Sequence, residues 1–308
     1  MFQKLLYKTY GLGLNLWSLV SPKAAAYAAY RIFCRPPKPN VRPKELEFLN
    51  TARQVRSEIA GYPVVEYHWG PESGPRILLS YGWHYNAGRW RHFVPYLVET
   101  GFHVVAYDPP GHGLNPGNFC NVLINSEIMI QLLNKYGPVE AVVAHSFGGA
   151  GMVRALNRLP AGQRPRRAVI MASFSHADSI FKEYRDNFGM WPGLYARLLQ
   201  VIESIIGAQV HTFDFAYMSN SLEQVQALLI YDPADPVTPF ANAHRYHAYW
   251  PKSRLLQGSG GHHLGKPEIT EMVLKFAAHG EYPAQAEERK QVVEAEHELV
   301  RYFAGVDL

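Results

Sequence analysis

The 308-residue chain is 47% apolar and 18% charged, enough apolar material for one large packed domain and too much for disorder to be the main state. Its net charge of +4 is uneven: residues 1–60 hold ten Lys and Arg against Glu45, Glu47 and Glu58, a net +7, which leaves −3 on the other 248 residues. A near-neutral bulk excludes nucleic acid as the main partner, and only the N-terminal segment favours an anionic surface.

In chain order, the first sixty residues predict a helical extension. Phe2, Leu5, Leu6, Leu16, Trp17 and Val20 recur at helical spacing. The apolar run 11–20 is broken by two Gly, Asn and Ser, is too short for a membrane span, and has no clean cleavage site after it, so it is expected to be retained. Ser21-Pro22 opens a second helix through Tyr30, Arg35–Pro39 is a linker, and Pro43–Glu47 starts a third helix. Cys34 and Cys120 lie 86 residues apart in no disulfide or metal pattern, which points to reduced thiols and a cytoplasmic protein.

From Tyr62 the pattern becomes strands alternating with helices. Val64–Trp69 alternates like a half-exposed strand. Arg76–Tyr81, His103–Tyr107, Ala141–Ala144, Ala168–Ala172 and Ala227–Tyr231 are short apolar runs suited to parallel strands buried on both faces. Helical stretches such as Ser126–Leu133 and Gly149–Leu159 separate them, which predicts an α/β class with a mostly parallel sheet between helices. Phe174–Ser221 is too long for a simple crossover and, rich in aromatics, reads as a helical lid. Its set Phe181, Tyr184, Phe188, Trp191 and Tyr195 reads first as packing for lid helices. A last helix is expected over about Gln285–Phe303. The expected divisions are thus 1–60 (extension), 61–282 (core, lid at about 174–221) and 283–308 (C-terminal helix).

The strongest chemical signal is Val142-Val143-Ala144-His145-Ser146-Phe147-Gly148-Gly149, an apolar strand running through small-x-Ser-x-Gly into a helix. Such a turn lifts a serine hydroxyl out of the backbone and points a helix N-terminus at developing negative charge. Downstream, Leu229–Pro239 is a strand ending in two acids, Asp232 and Asp235, and Gly258-Ser259-Gly260-Gly261-His262-His263 follows another helix and strand. The order is nucleophile, acid, base, unlike the two common serine protease orders. His244 and His247 share a helical face but lack a third ligand, so a packing or surface role is favoured over metal.

Residues from about Tyr62 to Gly280 resemble the α/β-hydrolase superfamily, in its esterase-like branch with a helical lid. Four blocks carry the likeness in order: Leu79-Ser80-Tyr81-Gly82-Trp83, Asp108-Pro109-Pro110-Gly111-His112-Gly113, the Ser146 turn, and Asp235 with His262. Tyr81, where the family usually has His, and Leu114, where a Ser is common, depart from it. The resemblance implies Ser146 as nucleophile, His262 as base and Asp235 as its orienting acid, with backbone N–H groups of Trp83 and Phe147 as oxyanion hole. Asp235 is favoured over Asp232, which takes a position where relatives often carry Gly. His262 is favoured over His263 because the base usually follows Gly directly. The implied reaction is hydrolysis of a small apolar carboxylic ester or thioester through an acyl-enzyme, with no metal or organic cofactor. C–C hydrolase, lyase or perhydrolase chemistry on the same triad, or a non-catalytic ligand receptor, stay open. The expected partner is a small-molecule substrate, and packing of the N-terminal helices is favoured over contact with a membrane surface. The oligomeric state stays open.

Overall fold

The computed structural model describes residues 2–37 and 39–289. The chain forms two compact units, one of residues up to Pro36 with His176–Asp214, the other of Pro37–Ser175 with the chain from Phe215 onward.

The larger unit is built on one sheet. Its strands are β1 (Arg53–Ile59), β2 (Tyr62–Trp69), β3 (Arg76–Ser80), β4 (His103–Asp108), β5 (Val139–His145), β6 (Arg167–Met171), β7 (Gln226–Tyr231), β8 (Ser253–Gln257) and β9 (Glu287–Glu288). Among the described residues they lie in the order β1-β2-β4-β3-β5-β6-β7-β8-β9. β4 through β8 are parallel neighbours; β1, β2 and β9 join antiparallel. Apolar runs make the middle strands because both faces are covered. Ile77, Leu79, Val104 and Ala106 join the core cluster beneath helices Val94–Glu99 and Pro267–His279. Helices Val122–Tyr136 and Phe147–Arg158 pack together and serve the other face. β1 was not foreseen as a strand: its burial is largely that of an exposed edge, with Arg53, Arg56 and Glu58 where a core strand would be apolar.

The smaller unit joins segments that are far apart in sequence. Helices Phe2–Val20 and Pro22–Phe33 pack against helices Ala177–Phe188 and Pro192–Ile206. Ala25, Ala26 and Ala29 are fully buried, small enough for helices to meet closely. A Cβ on Gly11 would fall 1.7 Å from the Phe188 carbonyl oxygen, so that contact needs glycine. Asn15 clamps the turn between the two later helices: its Nδ2 donates to the Gly189 carbonyl at 2.9 Å and its Oδ1 accepts from Trp191 N–H at 2.9 Å. Tyr184 donates to the Ala29 carbonyl at 2.9 Å, Phe33 meets Phe181 at 4.7 Å, and Tyr7 stacks on Phe188 at 5.0 Å. Phe181, Tyr184 and Phe188 therefore pack on the N-terminal helices, whereas the Tyr195 ring lies under Arg185 of its own segment.

Three boundaries differ from the sequence reading. The N-terminal helical region ends at Pro36 and not near residue 60, because helix Pro43–Leu49 and β1 belong with the sheet. The inserted segment of the smaller unit is 176–214 and not 174–221, since Ala216 N–H bonds back to the Ser175 carbonyl at 3.1 Å and returns the chain to the larger unit. Residues 283–289 form a turn and β9, and the rest of the expected C-terminal helix lies outside the described residues.

Candidate active site

Ser146 follows β5, in the middle of the sheet. β3 pairs with β4 on one side and β5 on the other, so the loops leaving β3 and β5 diverge and leave a crevice at the strand ends. Ser146 sits at φ 51°, ψ −121°, a strained conformation for a residue with a side chain. The strain is held from several sides. Ser146 N–H donates to the Met171 carbonyl at 2.9 Å, and its own carbonyl accepts from Ser173 Oγ and Gly149 N–H, both at 2.8 Å. A Cβ on Gly148 would sit 2.7 Å from the Ser80 carbonyl oxygen, so helix Phe147–Arg158 can start this close to β3 only with glycine there.

The loops after β7 and β8 bring the other two groups. His262 Nε2 lies 3.1 Å from Ser146 Oγ, and His262 Nδ1 lies 2.8 Å from Asp235 Oδ2. A carboxylate only accepts, so Nδ1 carries the proton and Nε2 is left to accept from the serine hydroxyl. Burial alone would raise the Asp235 carboxyl, but hydrogen bonds from His262, Thr238 and Val237 N–H outweigh it and hold the group down at about 2. The Asp235 carboxyl is thus ionised throughout the neutral range. Ser146 and His262 are half-buried, open enough for a substrate to reach.

Asp232 and His263 are placed elsewhere. Asp232 accepts from Ala234 N–H at 2.8 Å and from Gly261 N–H at 2.6 Å, so it caps its own turn and tethers the loop that carries His262. Those bonds hold its carboxyl below the usual range. His263 Nε2 lies 3.0 Å from Tyr85 Oη. Trp83 and Phe147 meet edge to face at 5.1 Å, with His112 stacked on Phe147 at 5.9 Å. Phe147 opens its helix, so its N–H has no intrahelical acceptor. A Cβ on Gly82 would come within 3.1 Å of Ser146 Cβ, which puts the chain before Trp83 directly over the serine. His247 lies 3.0 Å from Ser253 Oγ. Among the described residues no group of three or more His, Cys, Asp or Glu side chains is placed to hold a metal.

Further contacts support the site. His145 is fully buried and, through Nε2, donates to the His262 carbonyl at 2.7 Å. It stacks on Tyr81 at 4.6 Å, which gives that departure from the family pattern a packing partner. Glu45 accepts from Asn86 Nδ2 at 3.0 Å and pairs with Arg89 at 2.9 Å. Asp108 accepts from Ala87 N–H at 2.8 Å and from Leu114 N–H at 3.1 Å. Together they fix the start of the segment after Trp83. Asn86 was detectable as an N-cap, since its side chain accepts from Gly88 N–H. The Glu45 contact crosses 41 residues and leaves no local mark.

Burial sets the acid response of this unit. It pushes the His68 and His112 imidazoles down to about 4 and that of His145 to about 3, the last helped by neighbouring His262. An unfolded histidine titrates near 6.5. The unfolded chain therefore binds protons that the folded one refuses, and stability is full above about pH 6.5 and lost as pH falls toward 4. Asp108, pushed up to about 6 by burial against the opposing hydrogen bonds, acts the other way between about 3.8 and 6. One carboxyl opposes three imidazoles, so the melting temperature should fall by several degrees between about pH 7 and pH 5. A thermal melt series across that range checks this, and a flat or rising profile toward acid would contradict it.

Comparison with known proteins follows the same lines. A bifunctional esterase/perhydrolase of Acinetobacter calcoaceticus is 25% identical over 139 residues, 41% of this chain and 50% of its own. A serine hydrolase-like protein of Dictyostelium discoideum is 32% identical over 95 residues, 29% of this chain and 26% of its own. The chain thus spans a quarter to a half of these relatives. The esterase Pf2001 of Pyrococcus furiosus superposes with TM-score 0.57 at 16% identity, covering 79% of this chain and 95% of that one, a likeness of fold. The sheet order, the strained serine at its switch point and a match of residues 73–297 to the family model of that description place this chain in the alpha/beta hydrolase family.

Proposed function

We propose that the chain is a serine hydrolase acting on a small, apolar carboxylic ester or thioester through an acyl-enzyme. The observation that carries the reading is the continuous relay Ser146 Oγ, His262 Nε2 and Nδ1, Asp235 Oδ2, with steps of 3.1 and 2.8 Å. His262 takes the hydroxyl proton as Ser146 attacks the carbonyl carbon, and returns it to the departing alkoxide or thiolate. Asp235 keeps the proton on Nδ1 and stabilises the imidazolium between those events. The oxyanion is met by the N–H groups of Phe147 and Trp83 and by the positive end of helix Phe147–Arg158. Water then enters through the same imidazole and releases the acid.

Perhydrolysis is a second reading, suggested by the Acinetobacter relative's name. Hydrogen peroxide would replace water in the deacylation step and leave as part of a peracid. The test is a panel of nitrophenyl esters of graded acyl length, run with a fluorophosphonate probe. Labelling of Ser146 together with turnover of the short apolar esters is the expected result. A folded protein that neither labels nor turns over any ester would leave a ligand receptor as the better reading.

A further inference from the structure

The N-terminal helix faces the wrong way for a helix that only packs inward. Leu5, Leu12, Leu16, Trp17, Leu19 and Val20 project outward, with Leu19 71% and Val20 87% exposed. At 3.6 residues per turn these six fall on one half of the circumference. Gly11, Leu14, Asn15 and Ser18, on the other half, include the residues that contact the rest of the smaller unit. The more polar half is therefore buried and the apolar half is in water, the reverse of a soluble amphipathic helix. A contiguous patch of this kind marks an interaction surface.

Its surroundings are cationic. No acid occurs before Glu45, and Lys8, Lys23, Arg31 and Arg35 all lie in the first 36 residues. Beside the patch is a cleft of about 550 Å³ lined by Trp17, Ser21, Lys23, Tyr27 and Arg31. Among the described residues no ion pair engages Lys23 or Arg31. A cleft with two exposed cations on an aromatic floor suits a phosphate that carries apolar chains.

We propose that this face docks on an anionic phospholipid bilayer. Helix Phe2–Val20, about 28 Å long, would lie in the plane of the interface with its outward leucines below the headgroups. Trp17 and Tyr27 sit at headgroup level, and Lys23 and Arg31 hold lipid phosphates. A lying geometry also fits the hydropathy, because among the described residues no helix is long and apolar enough to cross a membrane. A second copy of the chain is the poorer occupant, since a self-complementary contact would oppose one cationic margin to another. The proposal is independent of the triad chemistry above.

Vesicle sedimentation of the full chain tests it, with phosphatidylcholine alone and with phosphatidylcholine doped with phosphatidylglycerol. The intact protein should partition to the anionic vesicles and less to the neutral ones, with salt weakening the difference. Leu16→Asp with Leu19→Asp should weaken that binding about tenfold or more, and Lys23→Glu with Arg31→Glu by a similar factor. Both pairs are solvent-exposed, so the melting temperature should hold, and two independent pairs guard against a misfolded variant. No binding by the intact protein, equal partition to both vesicle types, or undiminished binding by both double variants would overturn the proposal. So would a dimer on size exclusion that the Leu16/Leu19 variant disperses while the intact protein ignores vesicles.

Discussion

Ser146→Ala is expected to reduce ester hydrolysis by several powers of ten, on the order of 10⁴ to 10⁶, with secondary structure intact. The reason lies in what the position contributes. Its backbone is pinned by Met171, Ser173 and Gly149, none of which depends on the hydroxyl, so alanine inherits the same turn. Only the hydroxyl is removed, and among the described residues no other hydroxyl lies within hydrogen-bond reach of His262 Nε2. His262→Ala should fall equally far, because a serine without its base is as inert as a base without its serine. The double variant should be no worse than either single one. Turnover of one activated nitrophenyl ester, with circular dichroism on each variant, measures this. Substantial activity in folded Ser146→Ala would remove that residue from the nucleophile's role.

Asp235→Asn is expected to cost roughly three to four powers of ten in turnover. An amide nitrogen facing His262 Nδ1 would favour the wrong tautomer, and Nε2 would then carry the proton it needs to accept. Thr238, whose hydroxyl bonds Asp235 and sits 3.3 Å from His262 Nδ1, offers only partial replacement. Asp232→Asn should cost far less, about tenfold, because an amide keeps one acceptor for the two N–H groups of Ala234 and Gly261. Its loss should appear as a looser base loop and a lower melting temperature. Equal damage from the two substitutions in folded protein would mean that the acid's role is shared or misassigned.

Much of this arrangement was legible because it is local. The buried strands read as short apolar runs, since a strand covered on both faces has no polar side to show. The Ser146 turn was visible because a sharp strand-to-helix corner admits only small neighbours, and Gly148 meets the Ser80 carbonyl at a distance no side chain allows. What escaped was set by distant parts of the chain. β1 is an edge strand whose charges look like a loop. The stripe in the first helix was correctly periodic, yet periodicity gives a face without its direction, and Leu5, Leu6, Leu16, Trp17 and Val20 turned outward. Nothing near Asn15 announces that its amide would clamp residues 174 and 176 positions away.

That last separation bears on how the protein is made. At about 5–20 residues per second of synthesis, the helices that hold Asn15 and Ala29 leave the ribosome some ten to thirty seconds before Gly189 and Tyr184 exist to receive them. During that interval the first helix carries apolar side chains on one flank and an unanswered amide on the other. The nascent chain is then a lure for whatever binds such segments, a chaperone or a lipid surface, while the first six strands of the sheet are still being made. The smaller unit closes late, and its oldest half has to wait for its youngest.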